Sequence, residues 1–258
     1  MISELKKIIC PASTAKIDES LTNDEWGKLY NIKMLQELLQ KIRENKASAW
    51  TNEMLALTHE GETVLEIGSG SGETSLVLAL NNRVATALDF SKECLDLTDL
   101  ASKELNVDLK LVLADAMEEL PFKDNEFDVI FHAGLLEHFE KDERIRLLKN
   151  WGRCCKRMIS FIPNAASLAY RVGKANMERK GTWSWGKELP QYSLIPEFYA
   201  AGFHVTDEYT IDEKTALNFL PRFHYLKIAL KKWQKENACK DNCGQGYLLV
   251  TIGDKPVV

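Results

Sequence analysis

Three glycines stand at alternate positions in the stretch VLEIGSGSGETS, residues 64–75, directly behind an apolar run. Glycine admits backbone angles and close approaches that a side chain forbids, so Gly68, Gly70 and Gly72 mark a place where a ligand comes against main chain. The spacing narrows the ligand. A dinucleotide fingerprint puts its third glycine three residues after the second, and here that position is Glu73. A carboxylate at the mouth of the following helix opposes a diphosphate, and Glu66 at the end of the preceding strand adds a second negative charge. The expected ligand is nucleoside-like, with a cationic rather than an anionic centre.

Two more acids follow at telling positions. Asp89 closes the run TALDFS about twenty residues on, where an acid can take both hydroxyls of a ribose. Asp115, in LADAMEELPF, can accept from the exocyclic amine of a base. A single loop aspartate is often only a turn former. Glu66, Asp89 and Asp115 instead end three successive strands on one edge of a sheet, and that common position argues for a ligand.

The elements that must hold these residues can be read from periodicity. Short apolar runs at 63–67, 83–89, 109–115, 127–133 and 156–163 read as strands, and 73–80, 91–105 and 140–153 as helices. Such alternation describes βαβ units and a mainly parallel sheet covered on both faces. After Pro163, residues 164–192 show no clean period; a helix near 193–201, a strand at 203–211, one long helix at 213–236 and a strand at 246–253 follow. Two closing strands without an obvious crossover place the last one antiparallel. Ahead of the sheet, Trp26, Leu29, Tyr30, Met34, Leu35, Leu38, Leu39 and Ile42 recur at helical steps, with Thr22 or Asn23 as a cap. The reading is therefore a helical extension (1–50) before one α/β domain (51–258), with substrate-side inserts at 164–192 and 213–245.

At this point the sequence resembles the class I S-adenosylmethionine-dependent methyltransferases, especially their small-substrate, type 11-like branch. The likeness rests on VLEIGSGSGETS, ALDFS and LVLADAMEELPFKDNEFDVIFHAGLLEHF, and covers about residues 50–165. Many relatives carry Cys and Thr where Ser69 and Ser71 stand here, a small polar exchange in both places. The resemblance implies a Rossmann-like, mainly parallel seven-stranded sheet and S-adenosylmethionine as cofactor, leaving as S-adenosylhomocysteine. It implies that Gly68, Ser69, Gly70 and Gly72 pass under the methionine and ribose, and that Glu66 helps order the methionyl ammonium. Asp89, with Phe90 beside it, would hold the ribose; Asp115, Ala116 and Met117 would read the adenine; His132 and Ala133 would lie by the methionyl amine.

Methyl transfer from a sulfonium is an in-line displacement in which alignment does much of the work. A base is needed only if the acceptor keeps its proton near neutral pH. His138 and Glu137, in HAGLLEHF, are the catalytic candidates; His138 could equally be a helix-start residue bonded to backbone, and Glu137 could simply favour a helix N-terminus. Trp183, Trp185 and Tyr192 could face a substrate or form the small core of their own insert. Asn164, at a strand tip, is a candidate polar contact to substrate. The basic, aromatic face of the 213–236 helix (Arg222, His224, Lys227, Lys231, Lys232) reads as a solvated face or an anion contact.

Bulk properties set the frame. The 258 residues are 45% apolar and 28% charged, with a net charge of −5 that argues against nucleic acid as partner. There is no apolar stretch long enough for a signal peptide or a membrane span, so no membrane association is expected. Cys94, Cys154 and Cys155 fall in segments that read as buried, which favours reduced thiols in a cytoplasmic setting. Cys239 and Cys243 have ligand-like spacing but no completing pair, so no metal is expected. The expectation is a cytoplasmic enzyme acting on a small-molecule acceptor; oligomeric state is not written in these residues. The alternatives kept open are a tRNA or protein methyltransferase, or a non-catalytic S-adenosylmethionine-binding partner.

Overall fold

A computed structural model describes residues 32–237 and 244–256. Thr22, Asn23, Trp26, Leu29, Tyr30, Cys10, Cys239 and Cys243 lie outside the described residues.

The apolar runs form β1 (Thr63–Ile67), β2 (Val84–Asp89), β3 (Lys110–Leu113), β4 (Phe127–Ala133) and β5 (Cys155–Pro163), all mutually parallel. Between them run α3 (Glu73–Leu80), α4 (Lys92–Leu105) and α5 (Lys141–Arg153), preceded by α1 (Ile32–Arg43) and α2 (Ala49–Leu57). Beyond β5 come α6 (Leu168–Arg179), α7 (Ile195–Ala200), β6 (His204–Ile211), α8 (Glu213–Asn218), α9 (Tyr225–Glu236) and β7 (Leu248–Asp254). The seven strands lie in the order β3-β2-β1-β4-β5-β7-β6, with β7 antiparallel to both of its neighbours. This is the expected Rossmann-like architecture, and the antiparallel last strand sits inside the sheet.

Helices on both faces bury the sheet. One core joins Leu65, Ile67, Ile130, Trp151, Met158 and Phe198; the other joins Val64, Phe131, Ile159, Phe161 and Val250. Neighbouring residues of β1, β4 and β5 thus face opposite cores, as the two-residue pleat requires. Strand order reverses between β1 and β4, and loops leaving the carboxyl ends of those strands diverge there to open a crevice.

Two elements differ from the sequence reading. The stretch 164–192 contains α6, whose inner face carries Ala169, Tyr170, Gly173 and Lys174. A glycine and a lysine on the buried side hide the apolar period. Gly173 is needed there because a Cβ would fall 2.4 Å from that of Phe219. The single helix expected over 213–236 is two, α8 and α9, separated by a segment containing Pro221, which cannot donate within a helix. The expected boundary at residue 50 falls inside α2. Moreover, Leu35, Leu38, Leu39 and Ile42 of α1 share a core with Leu76, Val77, Leu97 and Ala101 of α3 and α4. Among the described residues no helix is long and apolar enough to cross a membrane.

Candidate functional site

The loop between β1 and α3 takes a left-handed path. Gly68, Gly70 and Gly72 have φ of 68°, 52° and 69°, and Gly72 is the N-cap of α3 without any side chain to cap it. A Cβ on Gly72 would come within 2.3 Å of Thr98 Cγ2, so both conformation and space require glycine there.

Three acids organise the loop. Glu66 is buried and accepts from the Ser75 backbone N–H at 3.0 Å and the Ser75 hydroxyl at 2.6 Å. Burial pushes its pKa up to about 8, against the lowering effect of those bonds. Asp89, also buried, accepts from the Gly70 N–H at 2.8 Å and the Ser91 N–H at 2.9 Å, and burial raises its pKa. Each of its oxygens keeps acceptor capacity for a further donor. Asp115 is exposed and accepts from the Met117 N–H at 2.8 Å.

Glu73 behaves differently from the sequence argument. Its carboxylate receives Lys41 Nζ at 2.5 Å and the Ser48 N–H at 2.6 Å, so it is charge-compensated and ties α1 and the start of α2 to the loop. It is therefore a weak repeller of anions, and the rim acids without a cationic partner are Glu66, Asp89 and Asp115.

These groups line one cavity of about 480 Å³. From the glycine loop it passes Asp89, Phe90, Asp115, Ala116 and Met117, continues by Ala133 and Gly134 to Glu137 and His138, and ends near Trp185, Glu188 and Tyr247. His138 Nδ1 lies 2.8 Å from the Lys187 carbonyl, which can only accept. The neutral ring therefore carries its proton on Nδ1 and its lone pair on Nε2. Burial lowers the pKa of His138, opposed by that bond. The Leu189 N–H donates to the Glu137 carbonyl at 2.7 Å, and Lys187 bridges Glu140 at 2.7 Å, so the segment after α6 is fastened along the 137–140 turn.

Five expected site residues do not line the cavity, among them Gly72, which caps α3 against Thr98. His132 is fully buried with both ring nitrogens unpartnered, its ring 5.6 Å from Trp151, because the pleat turns it into the core while Ala133 faces the crevice. Asn164 is 1% exposed; its amide donates to the carbonyls of Gly244 and Gly246 at 3.0 and 2.9 Å, and its oxygen accepts from the Ala166 N–H. It is a structural clasp rather than a substrate contact. Trp183 is buried and donates to the Gly186 carbonyl at 2.9 Å, forming the core of its insert. Tyr192 is 70% exposed, with its hydroxyl accepting from Arg171 at 3.1 Å. Cavity residues that sequence reasoning missed include Trp50, Cys94, Glu188 and Tyr247. Only Glu188 carried a signal, as an acid in the tryptophan-rich stretch.

The donor set suits a nucleoside with a cationic centre. Asp89 has spare acceptor capacity at the end of β2, and Ser69 Oγ in the loop is buried without a partner. Fold and cavity together define a Rossmann-like domain with a cavity suited to a nucleoside at its topological switch point. Residues 64–158 match the family described as methyltransferase domain. This domain match and the relatives below support a class I S-adenosylmethionine-dependent methyltransferase with S-adenosylmethionine as its cofactor.

The ubiquinone biosynthesis O-methyltransferase of Pseudomonas putida is 28% identical over 200 residues, which cover 73% of this chain and 82% of that protein. Magnesium protoporphyrin IX methyltransferase from Synechocystis PCC 6803, solved with bound S-adenosylhomocysteine, superposes with a TM-score of 0.57 at 14% identity, covering 90% and 93% of the two chains. The [4+2]-cyclase SpnF superposes with a TM-score of 0.58 at 16% identity, covering 94% and 100%. These structural likenesses establish the shared fold, and a fold alone does not fix an activity.

Proposed function

We propose that this chain transfers the methyl group of S-adenosylmethionine to a nucleophilic atom of a small molecule bound between His138, Trp185, Glu188 and Tyr247. The observation that carries the reading is the single cavity running from the glycine loop to that wall, closed on one side by the segment fastened along Glu137 and His138. An acceptor admitted there lies in line with the donor pocket, and alignment supplies much of the rate.

In this reading Asp89 holds the ribose hydroxyls, and Asp115 with the backbone of Ala116 and Met117 meets the adenine. The bound cofactor supplies an electrophilic methyl on a sulfonium. Glu66, once a cation sits nearby, gives up its proton and adds negative charge under the methionine end. His138, neutral with its lone pair on Nε2, takes the acceptor's proton where the acceptor has one to lose. The buried free thiols of Cys94, Cys154 and Cys155 support a reducing, cytoplasmic setting.

Incubation with methyl-labelled S-adenosylmethionine and separate metabolite, RNA and protein fractions tests the proposal. Label in the small-metabolite fraction is expected. Label confined to RNA or protein, or none in any fraction despite tight cofactor binding, would overturn it.

A further inference from the structure

At the cavity end away from the glycine loop, two carboxyl groups arrive from different parts of the chain. Glu137, on the turn after β4, is 2% exposed. Glu188 sits on the segment after α6 that is fastened to the same turn. Both side chains line the cavity. Glu188 Oε2 accepts from the Tyr170 hydroxyl at 2.7 Å. Glu137 Oε2 is buried and has no partner in the protein. An unsatisfied buried acceptor is costly, and one in a cavity wall is satisfied by a donor on the ligand.

The charge of the wall selects the kind of donor. Among the described residues the cavity is lined by Glu66, Asp89, Asp115, Glu137 and Glu188, by Glu73 paired with Lys41, and by no lysine or arginine. Lys174 is the cation that acts on Glu188, but its ammonium is committed to Glu178 and lies 4.7 Å from the centre of the Trp183 ring. A phosphate or carboxylate on the acceptor would meet repulsion with no counter-charge. The aromatic residues Trp185 and Tyr247 line the same end, and aromatic faces attract cations.

From this juxtaposition we infer that Glu137 and Glu188 seat a cationic amine group carried by the methyl acceptor. The inference rests on the small-molecule reading above and names the chemical class of the acceptor.

The same seat makes binding depend on pH. Burial raises the pKa of Glu137 well above the carboxylate range, with the charge of Glu188 adding to it, and burial raises Glu188 to about 7. The pair therefore holds a proton at neutral pH that an arriving ammonium displaces. The other groups facing it are Tyr170, Lys174 and Glu178 of α6, Tyr247 before β7, and His138 on the turn. Burial raises the pKa of both tyrosines and lowers that of His138.

Calorimetry on the full chain saturated with S-adenosylhomocysteine tests this with phenethylamine as probe, and with 2-phenylethanol and 3-phenylpropanoate as its neutral and anionic counterparts. The amine should bind at least about tenfold tighter than either counterpart, tighter at pH about 8 than at about 6, with proton release seen in buffers of different ionisation enthalpy. The preference should disappear in Glu188→Gln and in Glu137→Gln, with S-adenosylhomocysteine affinity in each reporting an intact fold. Should Glu137→Gln fail that check, Glu188→Gln decides alone. Equal binding of amine and alcohol, no binding of the amine at about 10 mM, or a preference surviving Glu188→Gln would overturn the inference. Failure of the wild-type chain to bind S-adenosylhomocysteine would instead overturn the proposed function.

Discussion

The backbone N–H of Gly70 donates to Asp89 Oδ2 at 2.8 Å, so the acid at the end of β2 braces the glycine loop at the end of β1. Asp89→Ala therefore removes both a ligand acceptor and a loop support. It should weaken S-adenosylmethionine binding by about 1–3 kcal/mol, the range for a lost charged hydrogen bond. Asp89→Asn should do little better, because an amide NH2 facing the Gly70 N–H cannot accept. Calorimetric titration of each variant checks this, and wild-type affinity in both would remove Asp89 from the site.

Gly72→Ala should destabilise the fold by about 1–3 kcal/mol. Its φ of 69° disfavours a side chain, and the new methyl would meet Thr98. Adding Thr98→Ala should recover the steric part and leave the backbone part. Urea unfolding of the single and double variants separates the two.

Lys41 and Glu73 form a part-buried pair that anchors α1 beside the loop. Since the lysine is 39% exposed in its side chain, Lys41→Met should cost only about 1 kcal/mol of stability. A double-mutant cycle with Glu73→Gln should return most of that as coupling. Additive losses in the cycle would show the pair to be incidental.

His132 and Glu66 make stability depend on pH in opposite senses. Burial pushes the imidazole down to about 3. The unfolded chain takes up that proton below about 6.5 and the folded chain does not, so stability falls as pH drops from about 6.5 towards 3. His132→Phe should raise the relative Tm at pH about 5 and leave the profile above about 7 unchanged. Glu66, raised to about 8, keeps its proton in the folded state when the unfolded carboxyl has lost it. Its contribution is thus lost as pH rises from about 4.5 to 8, and Glu66→Gln should flatten that limb. Thermal melts across pH, without cofactor, measure both slopes.

His138→Ala should lower turnover of the labelled acceptor by roughly 10–100-fold while changing S-adenosylhomocysteine affinity little. A fully active variant would remove His138 from catalysis and leave it as the anchor of Lys187.

The parts of this protein legible in its sequence are those where one physical demand dominates. Alternating apolar runs specified β1 to β5, and the glycine spacing located the loop, because parallel strands and tight turns leave local signatures. Other features depend on distant partners. Gly173 conceals α6 because its inward position answers to Phe219, beyond the end of α8. Asn164 looked like a ligand group at a strand tip, yet its amide is taken by carbonyls some eighty residues on. Whether His132 or Ala133 meets the crevice turns on the pleat at the end of β4. Glu188 enters the cavity through two links between its segment and the 137–138 turn, one from the His138 ring to the Lys187 carbonyl and one main-chain bond from Leu189 to Glu137, and no local pattern encodes those.

The position of β7 bears on how the molecule assembles. β6 precedes β7 in the chain but reaches the sheet only through it, since β7 pairs with β5 on one side and β6 on the other. The half of the cavity built on β1 to β4 closes with the pairing of Val64 to Val129, whereas Tyr247 and Leu248 arrive with the late strand, whose pairing with β5 joins residues as far apart as Arg157 and Asp254. Such distant pairings carry a larger loop-closure cost and form slowly. The nucleoside pocket can thus take shape during synthesis before β7 is in place, and the insertion of that one strand completes the far wall of the cavity.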